Sequence, residues 1–174
     1  MNFLSLRDEL IASFKLKELS RSGWLNSGLN DVESVAAHCW GVSYLCFVLC
    51  PNELDLSKVL SMSVIHDLGE AIVGDITPHD QISSDKKHEL ELAAIKKLTT
   101  STKKQNEILK LWHEYESNNT PESKFVKACD KLDMALQAAI YDARDNFFDP
   151  KEFIDSALKK IDDENMKLLA SNNR

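Results

Sequence analysis

Glycine and proline are scarce in this chain of 174 residues, with five of one and four of the other. An average protein carries more than twice that share, roughly 12%. Architectures of many short strands need frequent turn residues, so this scarcity excludes them and favours long helices. Long apolar runs are also missing. A membrane span needs about 18 apolar residues in succession, and the richest stretch, Val42 to Cys50, is far shorter. The first residues carry the acidic pair Asp8-Glu9 where a secretory signal needs an apolar run. Basic excess is absent too: 21 Lys and Arg stand against 28 Asp and Glu, a net charge of −7. A nucleic-acid polymer selects the opposite sign, so it is not an expected partner. None of Cys39, Cys46, Cys50 and Cys129 forms a C-x-x-C pair, which removes zinc ribbons and thioredoxin-like sites. Three of the four recur at helical spacing among apolar neighbours. They read as small core residues in a reducing, cytoplasmic setting, without disulfides or nucleophiles.

What is present is one helix after another. Phe3, Leu6, Leu10, Ile11 and Phe14 predict a first amphipathic helix, followed by a loop at Ser20-Arg21-Ser22-Gly23-Trp24. Asp31 offers an N-cap to a second helix with Val35, Cys39, Val42, Cys46 and Leu49 on its stripe, stopped by Pro51. Asp55 or Ser57 caps a third, which runs into His66-Asp67-Leu68-Gly69. A short turn from Glu70 to Val73 meets the loop Gly74-Asp75-Ile76-Thr77-Pro78. Charged helices follow over 84–98 and from Thr102 to about Tyr115. Thr120-Pro121 opens a long helix through Cys129, Leu132, Leu136 and Ile140. Asp149-Pro150 opens a final one through Phe153 and Ile161. The expected class is all-α, as a single domain over 1–174, with a C-terminal helix at about 150–170.

The informative polar residues sit beside these stripes. A lone histidine near an apolar face is usually a hydrogen-bonded core residue, and a lone helical aspartate is usually solvated. Together, His38, His66, Asp67 and Asp130 say more. Buried carboxylates are expensive unless paired or bound to a metal, and His66-Asp67 lies between Ile65 and Leu68. Neighbouring helices would bring two imidazoles and two carboxylates to one ion. Such a set without thiolate suits Mn²⁺, Co²⁺, Fe²⁺, Ni²⁺ or Mg²⁺ and leaves coordination positions open.

His38, His66-Asp67 and Asp130 match the H…HD…D pattern of the HD-domain metal-dependent phosphohydrolases. The surrounding segments Glu33-Ser34-Val35-Ala36-Ala37-His38, Ile65-His66-Asp67-Leu68-Gly69-Glu70, Gly74-Asp75-Ile76 and Lys127-Ala128-Cys129-Asp130 resemble the 5′-deoxynucleotidase branch. Arg21-Ser22-Gly23-Trp24, Leu111-Trp112-His113-Glu114-Tyr115-Glu116 and Lys124-Phe125-Val126-Lys127 resemble its HD-domain-containing protein 2 group. The similarity runs from about Leu16 to Tyr141. It implies a helical HD fold, often a homodimer, that releases phosphate from deoxynucleoside 5′-monophosphates by attack of a metal-bound water. By this resemblance His38, His66, Asp67 and Asp130 hold one divalent metal ion, and Glu70 is the acid/base residue. Asp75 stands near the metal water or the leaving oxygen. Arg21 holds the phosphate, and Trp24 shapes the sugar site. In the bacterial deoxynucleotidases the arginine and tryptophan are neighbours, whereas Ser22-Gly23 separates them here.

Other residues carry weaker signals. His79 and His88 read as solvated, and His113, Glu114 and Glu116 read as pocket mouth or wet surface. Asp133, three residues past Asp130, either supports the site from behind or does nothing there. Gln137 and Tyr141 are candidates for the same cavity. The basic Lys103-Lys104 and the tail Asn172-Asn173-Arg174 read as solvated ends. Two alternatives share the residues: the same chemistry on another nucleotide or small phosphate ester, and a non-catalytic helical module that binds a nucleotide or a protein partner.

Overall fold

The structure, a computed structural model, describes residues 2–145 and 147–171. The tail at 172–174 lies outside the described residues. Among the described residues ten α-helices run in order: α1 (Phe3–Ser13), α2 (Ser22–Asn26), α3 (Val35–Leu49), α4 (Leu56–Ile65), α5 (Glu70–Val73), α6 (Ser84–Leu98), α7 (Gln105–Ser117), α8 (Pro121–Arg144), α9 (Lys151–Lys160) and α10 (Glu164–Ala170). Among the described residues there is no strand, and one isolated bridge pairs Ser20 with Ser34. The architecture is all-α, as the scarcity of turn residues predicts. No helix among the described residues is long and apolar enough to cross a membrane.

The caps explain most boundaries. Asp55 accepts from Lys58 N–H and starts α4, and Thr120 with Pro121 starts α8 through a reciprocal capping box. Four expectations are corrected. Asp31 does not cap α3; it sits at φ 57°, and Ser34 accepts from Ala37 N–H instead. Ser22 to Asn26 is a helical turn, not loop. The chain from Thr102 becomes helical at Gln105. The last helix is two, because the chain leaves helical geometry at Ile161 and restarts behind the Asp163 cap.

The main core lies between α3, α4 and α8, with α9 and α10 laid against α8. Val42, Cys46, Val59, Met62, Val126, Cys129, Leu132 and Ala138 are sealed within it. Fully burying side chains of this size is worth about 1.5–3 kcal/mol each. All four cysteines are free, and the buried Cys39, Cys46 and Cys129 are core residues. The first helix departs from its pattern: Phe3, Leu10, Ile11 and Phe14 are exposed, and α1 contributes no buried residue. Its contacts are with α5, α6 and the 3-10 turn Phe14–Lys17, and Glu9 accepts from Ser101 N–H and Oγ.

Close backbone approach fixes the other side of the molecule. A Cβ at Gly69 would stand 3.1 Å from Glu91, so the absence of a side chain lets α6 press onto the turn before α5. Glu91 is thereby buried, and its carboxyl is pushed up to about 7 by desolvation, which outweighs the pull of Lys87 at 3.5 Å. Between an ordinary glutamate value and pH 7 the folded chain keeps a proton that the unfolded chain has released. Stability therefore falls as pH rises through that window, by on the order of 2 kcal/mol, and is level above it. With metal chelated, Glu91→Gln is expected to match the parent near pH 4 and exceed it at pH 8 in urea unfolding. Equal slopes against pH would contradict the buried carboxyl.

Candidate metal and phosphate site

Three separate stretches bring the polar residues together. The segment Leu19–Arg21 pairs with Glu33–Val35 through Arg21 N–H to the Glu33 carbonyl (3.0 Å) and Val35 N–H to the Leu19 carbonyl (2.8 Å). This sets Arg21 beside the start of α3, whose first turn carries His38. The end of α4 delivers His66 and Asp67. The 66–69 turn then closes through Glu70 N–H to the Asp67 carbonyl (3.0 Å), and Gly74 at φ 84° ends α5. Antiparallel to α3, α8 brings Asp130 and Asp133.

The histidines are oriented from behind. A carboxylate and a carbonyl can only accept, so each bond fixes a proton on Nδ1. His38 Nδ1–H donates to Asp133 at 2.7 Å, and His66 Nδ1–H donates to the Ser63 carbonyl at 2.7 Å. Both Nε2 atoms are left as acceptors, and they face each other at 3.4 Å. Asp67 stands 3.2 Å from His66 Nε2 and 3.6 Å from His38 Nε2, and Asp130 stands 3.4 Å from His38 Nε2. Two lone pairs aimed at one point among carboxylates repel unless a positive charge lies between them. Even a proton is drawn in: burial and Arg21 oppose a charge on His38, but Asp130 and Asp133 prevail and push its pKa up to about 9. A divalent cation fits this donor set. His38, His66 and Asp67 each offer an atom within 4.8 Å of the others. Asp130 joins from the His38 side, its second oxygen taken by Tyr115 O–H (3.1 Å) and Lys131 (3.0 Å).

The carboxylates differ in charge state. Burial works against ionised Asp67 and Asp130, but for Asp67 the imidazoles and Arg21, and for Asp130 Lys131 and the imidazoles, outweigh it and hold both below the ordinary range. Glu70 goes the other way, raised by burial and by its neighbours Asp67 and Asp75. It is 4% exposed, and its Oε2 has no hydrogen-bond partner among the described residues. An orphaned carboxylate oxygen beside a cation-seeking cluster is the arrangement expected of a proton acceptor.

All of this opens into a cavity of about 890 Å³ whose walls include Arg21, Trp24, Asp67, Glu70, Asp75 and Asp130. Arg21 lies 3.7 Å from Asp67 and 3.9 Å from Asp75. Asp75 also accepts from Ser22 N–H at 2.6 Å, so it anchors the Arg21 segment. Trp24 is clamped: Nε1–H donates to Glu33 at 2.9 Å, Phe153 packs at 4.2 Å, and Tyr141 meets its edge at 5.2 Å. Tyr141 therefore stands behind Trp24, and neither it nor Gln137 is on the cavity wall. His88 is corrected: it packs on Trp112 at 4.8 Å and lines the cavity with Glu116, its partner at 3.3 Å. His79 is exposed, and Glu114 is tied to Lys58 and Thr120. The sequence reading missed Tyr115, Lys87, Glu91 and Phe153 as parts of the site. Tyr115 had a signal, a phenol on the stripe formed with Leu111 and Trp112. The others depend on contacts from distant helices.

Gly41 makes the histidine support possible. A Cβ there would lie 2.0 Å from an Asp133 carboxylate oxygen. Gly41→Ala is expected to displace Asp133, release His38 and weaken Mn²⁺ binding about 10–100-fold, with a comparable cost of about 1–3 kcal/mol in folding stability. Calorimetric Mn²⁺ titration beside a thermal melt separates the two. Unchanged affinity would mean that Asp133 does not orient His38.

Known proteins carry the same arrangement of chain. The 5′-deoxynucleotidase HDDC2 of Dictyostelium discoideum is 38% identical over 170 residues, covering 90% of each chain. The 5′-deoxynucleotidase hdd1 of Schizosaccharomyces pombe is 38% identical over 138 residues, 76% of this chain and 70% of that one. Among solved structures, PH0347 protein from Pyrococcus horikoshii superposes with a TM-score of 0.77 at 32% identity, covering 93% of this chain and 95% of the other. The HD domain matches residues 14–169, and with nearly the whole chain inside that match this protein belongs to the HD domain family.

Proposed function

We propose that this chain is a metal-dependent phosphohydrolase that releases phosphate from deoxyribonucleoside 5′-monophosphates. The observation that carries the reading is the pair of Nε2 acceptors 3.4 Å apart, flanked by Asp67 and Asp130, with the orphaned Glu70 oxygen on a side chain that feels the Asp67 charge. Relatives bearing the name 5′-deoxynucleotidase over most of the chain support the substrate class.

His38, His66, Asp67 and Asp130 would hold the ion, with Mn²⁺, Co²⁺, Fe²⁺, Ni²⁺ and Mg²⁺ all compatible with two imidazoles and two carboxylates. When bound, such an ion neutralises phosphate charge and acidifies water. The protein's own groups do the rest. Arg21 is buried against Asp75 and Asp67, which hold its guanidinium charged against the cost of desolvation. Its planar fork suits two phosphate oxygens. Glu70 Oε2 accepts the proton of the attacking water and returns it to the leaving sugar oxygen. Asp75 keeps Arg21 in reach through the Ser22 amide. Trp24, fixed by Glu33 and Phe153, forms a rigid wall for the sugar. Free thiols in the core fit a reducing cytoplasm, and the net charge of −7 favours a small nucleotide over a polymer. The packing of α9 and α10 on α8 supports one HD unit along the chain.

The test is a panel of deoxyribo- and ribonucleoside monophosphates with each metal, read as phosphate release. Turnover of the deoxy series is expected, and Glu70→Gln is expected to retain nucleotide binding while losing about 10²–10⁴ in kcat. Inert monophosphates, with pyrophosphate or triphosphate released from nucleoside triphosphates assayed beside them, would replace the reading with the alternative of another nucleotide substrate. No release with any metal would remove it.

A second copy of this chain is the proposed partner. Helix α3 has no Asp, Glu, Lys or Arg in 15 residues, and its outer face exposes Trp40, Tyr44, Phe47 and Val48, with the Trp40 and Tyr44 rings stacked at 5.6 Å. Leu136 and Ile140 on α8 are exposed as well. Three half-exposed aromatics alone offer on the order of 300–400 Å², comparable to the largest apolar patch an ordinary monomer leaves open. That is nearly half of what one partner contributes to a standard interface, about 800 Å². Sedimentation should give a dimer, and Trp40→Glu with Tyr44→Lys a folded monomer. A monomeric parent would refute it.

A further inference from the structure

The cavity mouth carries a feature that binding of one phosphate does not use. Lys127 and Lys131 lie one helical turn apart on α8, and Lys160 ends α9; all three line the cavity. In a chain with seven more acidic than basic side chains, three lysines gathered on one rim are conspicuous. Their charges press on one another: Lys160 is held below the ordinary lysine range first by Lys131, then by burial and Lys127. Lys160 forms no ion pair or hydrogen bond among the described residues. Lys127 lies over the Tyr115 ring at 4.8 Å and donates to the Glu116 carbonyl at 3.4 Å, so a neutral acceptor leaves its charge unbalanced. Lys131 pairs with the outer oxygen of Asp130 at 3.0 Å, and that carboxylate belongs to the cation cluster. An ion held there shares the negative charge that Lys131 now meets together with Tyr115 O–H. Asp130 offsets Lys160 in part, and it is the carboxylate such an ion would claim. Glu116 is engaged with His88, and Glu152 lies eight residues before Lys160, roughly 12 Å along α9.

Position separates this rim from the phosphate grip already described. Arg21, Asp75 and Glu70 stand on the Asp67 side. The lysines stand beyond Asp130, on the wall that α9 completes with Phe153 and Ser156. Resting on the nucleotidase reading, we propose that Lys127, Lys131 and Lys160 form a second anion subsite, so that the pocket takes deoxynucleotides bearing a second phosphate on the sugar. The reacting 5′-phosphate sits at Arg21 and the cation cluster, and a 3′-phosphate turns toward the lysines.

Deoxyadenosine 3′,5′-bisphosphate and deoxyadenosine 5′-monophosphate are compared by calorimetric titration into the Mn²⁺-loaded full chain. The Glu70→Gln background lets binding be read without turnover. The bisphosphate is expected to bind about tenfold tighter, as two or three charge-assisted contacts would give, with the ratio shrinking as salt rises. In Lys131→Gln/Lys160→Gln the ratio should fall to about one. Equal binding in the parent overturns the proposal, and so does a double variant that weakens both nucleotides by the same factor, because a general field would do that. Loss of the bisphosphate's advantage to millimolar inorganic phosphate overturns it in favour of a free-phosphate site. Failure of both nucleotides to bind strikes the nucleotidase reading itself, whereas equal binding strikes this proposal alone.

Discussion

Everything in the site depends on two imidazole nitrogens that should repel. Their partners on the far side, Asp133 and the Ser63 carbonyl, each claim the Nδ1 proton and so commit both Nε2 lone pairs to one point. An isolated histidine pair would rotate away or protonate. Here the rings cannot rotate, because His38 and His66 are buried within packed helices. The fold thus spends core packing on holding an electrostatic demand open. A small residue at Gly41 allows α8 close enough for Asp133 to reach, and the closeness of α3, α4 and α8 is the same contact that builds the core.

The charges around that point are sorted by position. Asp67 and Asp130 touch imidazoles and stay ionised. Glu70 is driven toward its protonated form by burial and by the charges of Asp67 and Asp75. A cation in the cluster reverses part of that repulsion, so the same glutamate becomes a ready base when the site is loaded. On the proposed reading, two carboxylates would bind the ion and one would move the proton, distinguished by position and not by the chemistry of the side chains.

Local pattern was enough to find the reactive wall. His66, Asp67, Glu70, Gly74 and Asp75 fall within ten residues, and their relative placement follows from one turn and the short helix α5. His38 and Asp130 were legible because each lies beside the buried apolar positions of its helix, Val35, Cys39 and Val42 on α3 and Val126, Cys129 and Leu132 on α8. Trp24 was placed in a loop because a five-residue helix has too few residues to show a period. His88 looked solvated within a charged run, and Lys87 beside it carried no signal of its own. Their inward face exists because α6 presses on Gly69, a contact that no spacing in α6 announces. The exposed face of α1 is the reverse case: the period was there, but the described fold supplies no wall for it to meet.

The substrate wall has a different origin from the reactive one. Trp24 is held by Glu33 from before α3, by Tyr141 from the end of α8 and by Phe153 from α9. Those three partners span 120 residues of chain, and Glu33 also reaches the cluster from behind, its carboxylate within 4.8 Å of His38 and Asp133. Changes in α9 can therefore reshape the room around the sugar without disturbing His38, His66 or Asp67. The cation cluster is held by α3, α4 and α8, the helices that also build the core, whereas the wall at Trp24 adds the packing of α9. A fold divided in this way can keep one reaction while exchanging the nucleotides it accepts, and the separation of Arg21 from Trp24 by two residues is a change that the reactive wall does not register.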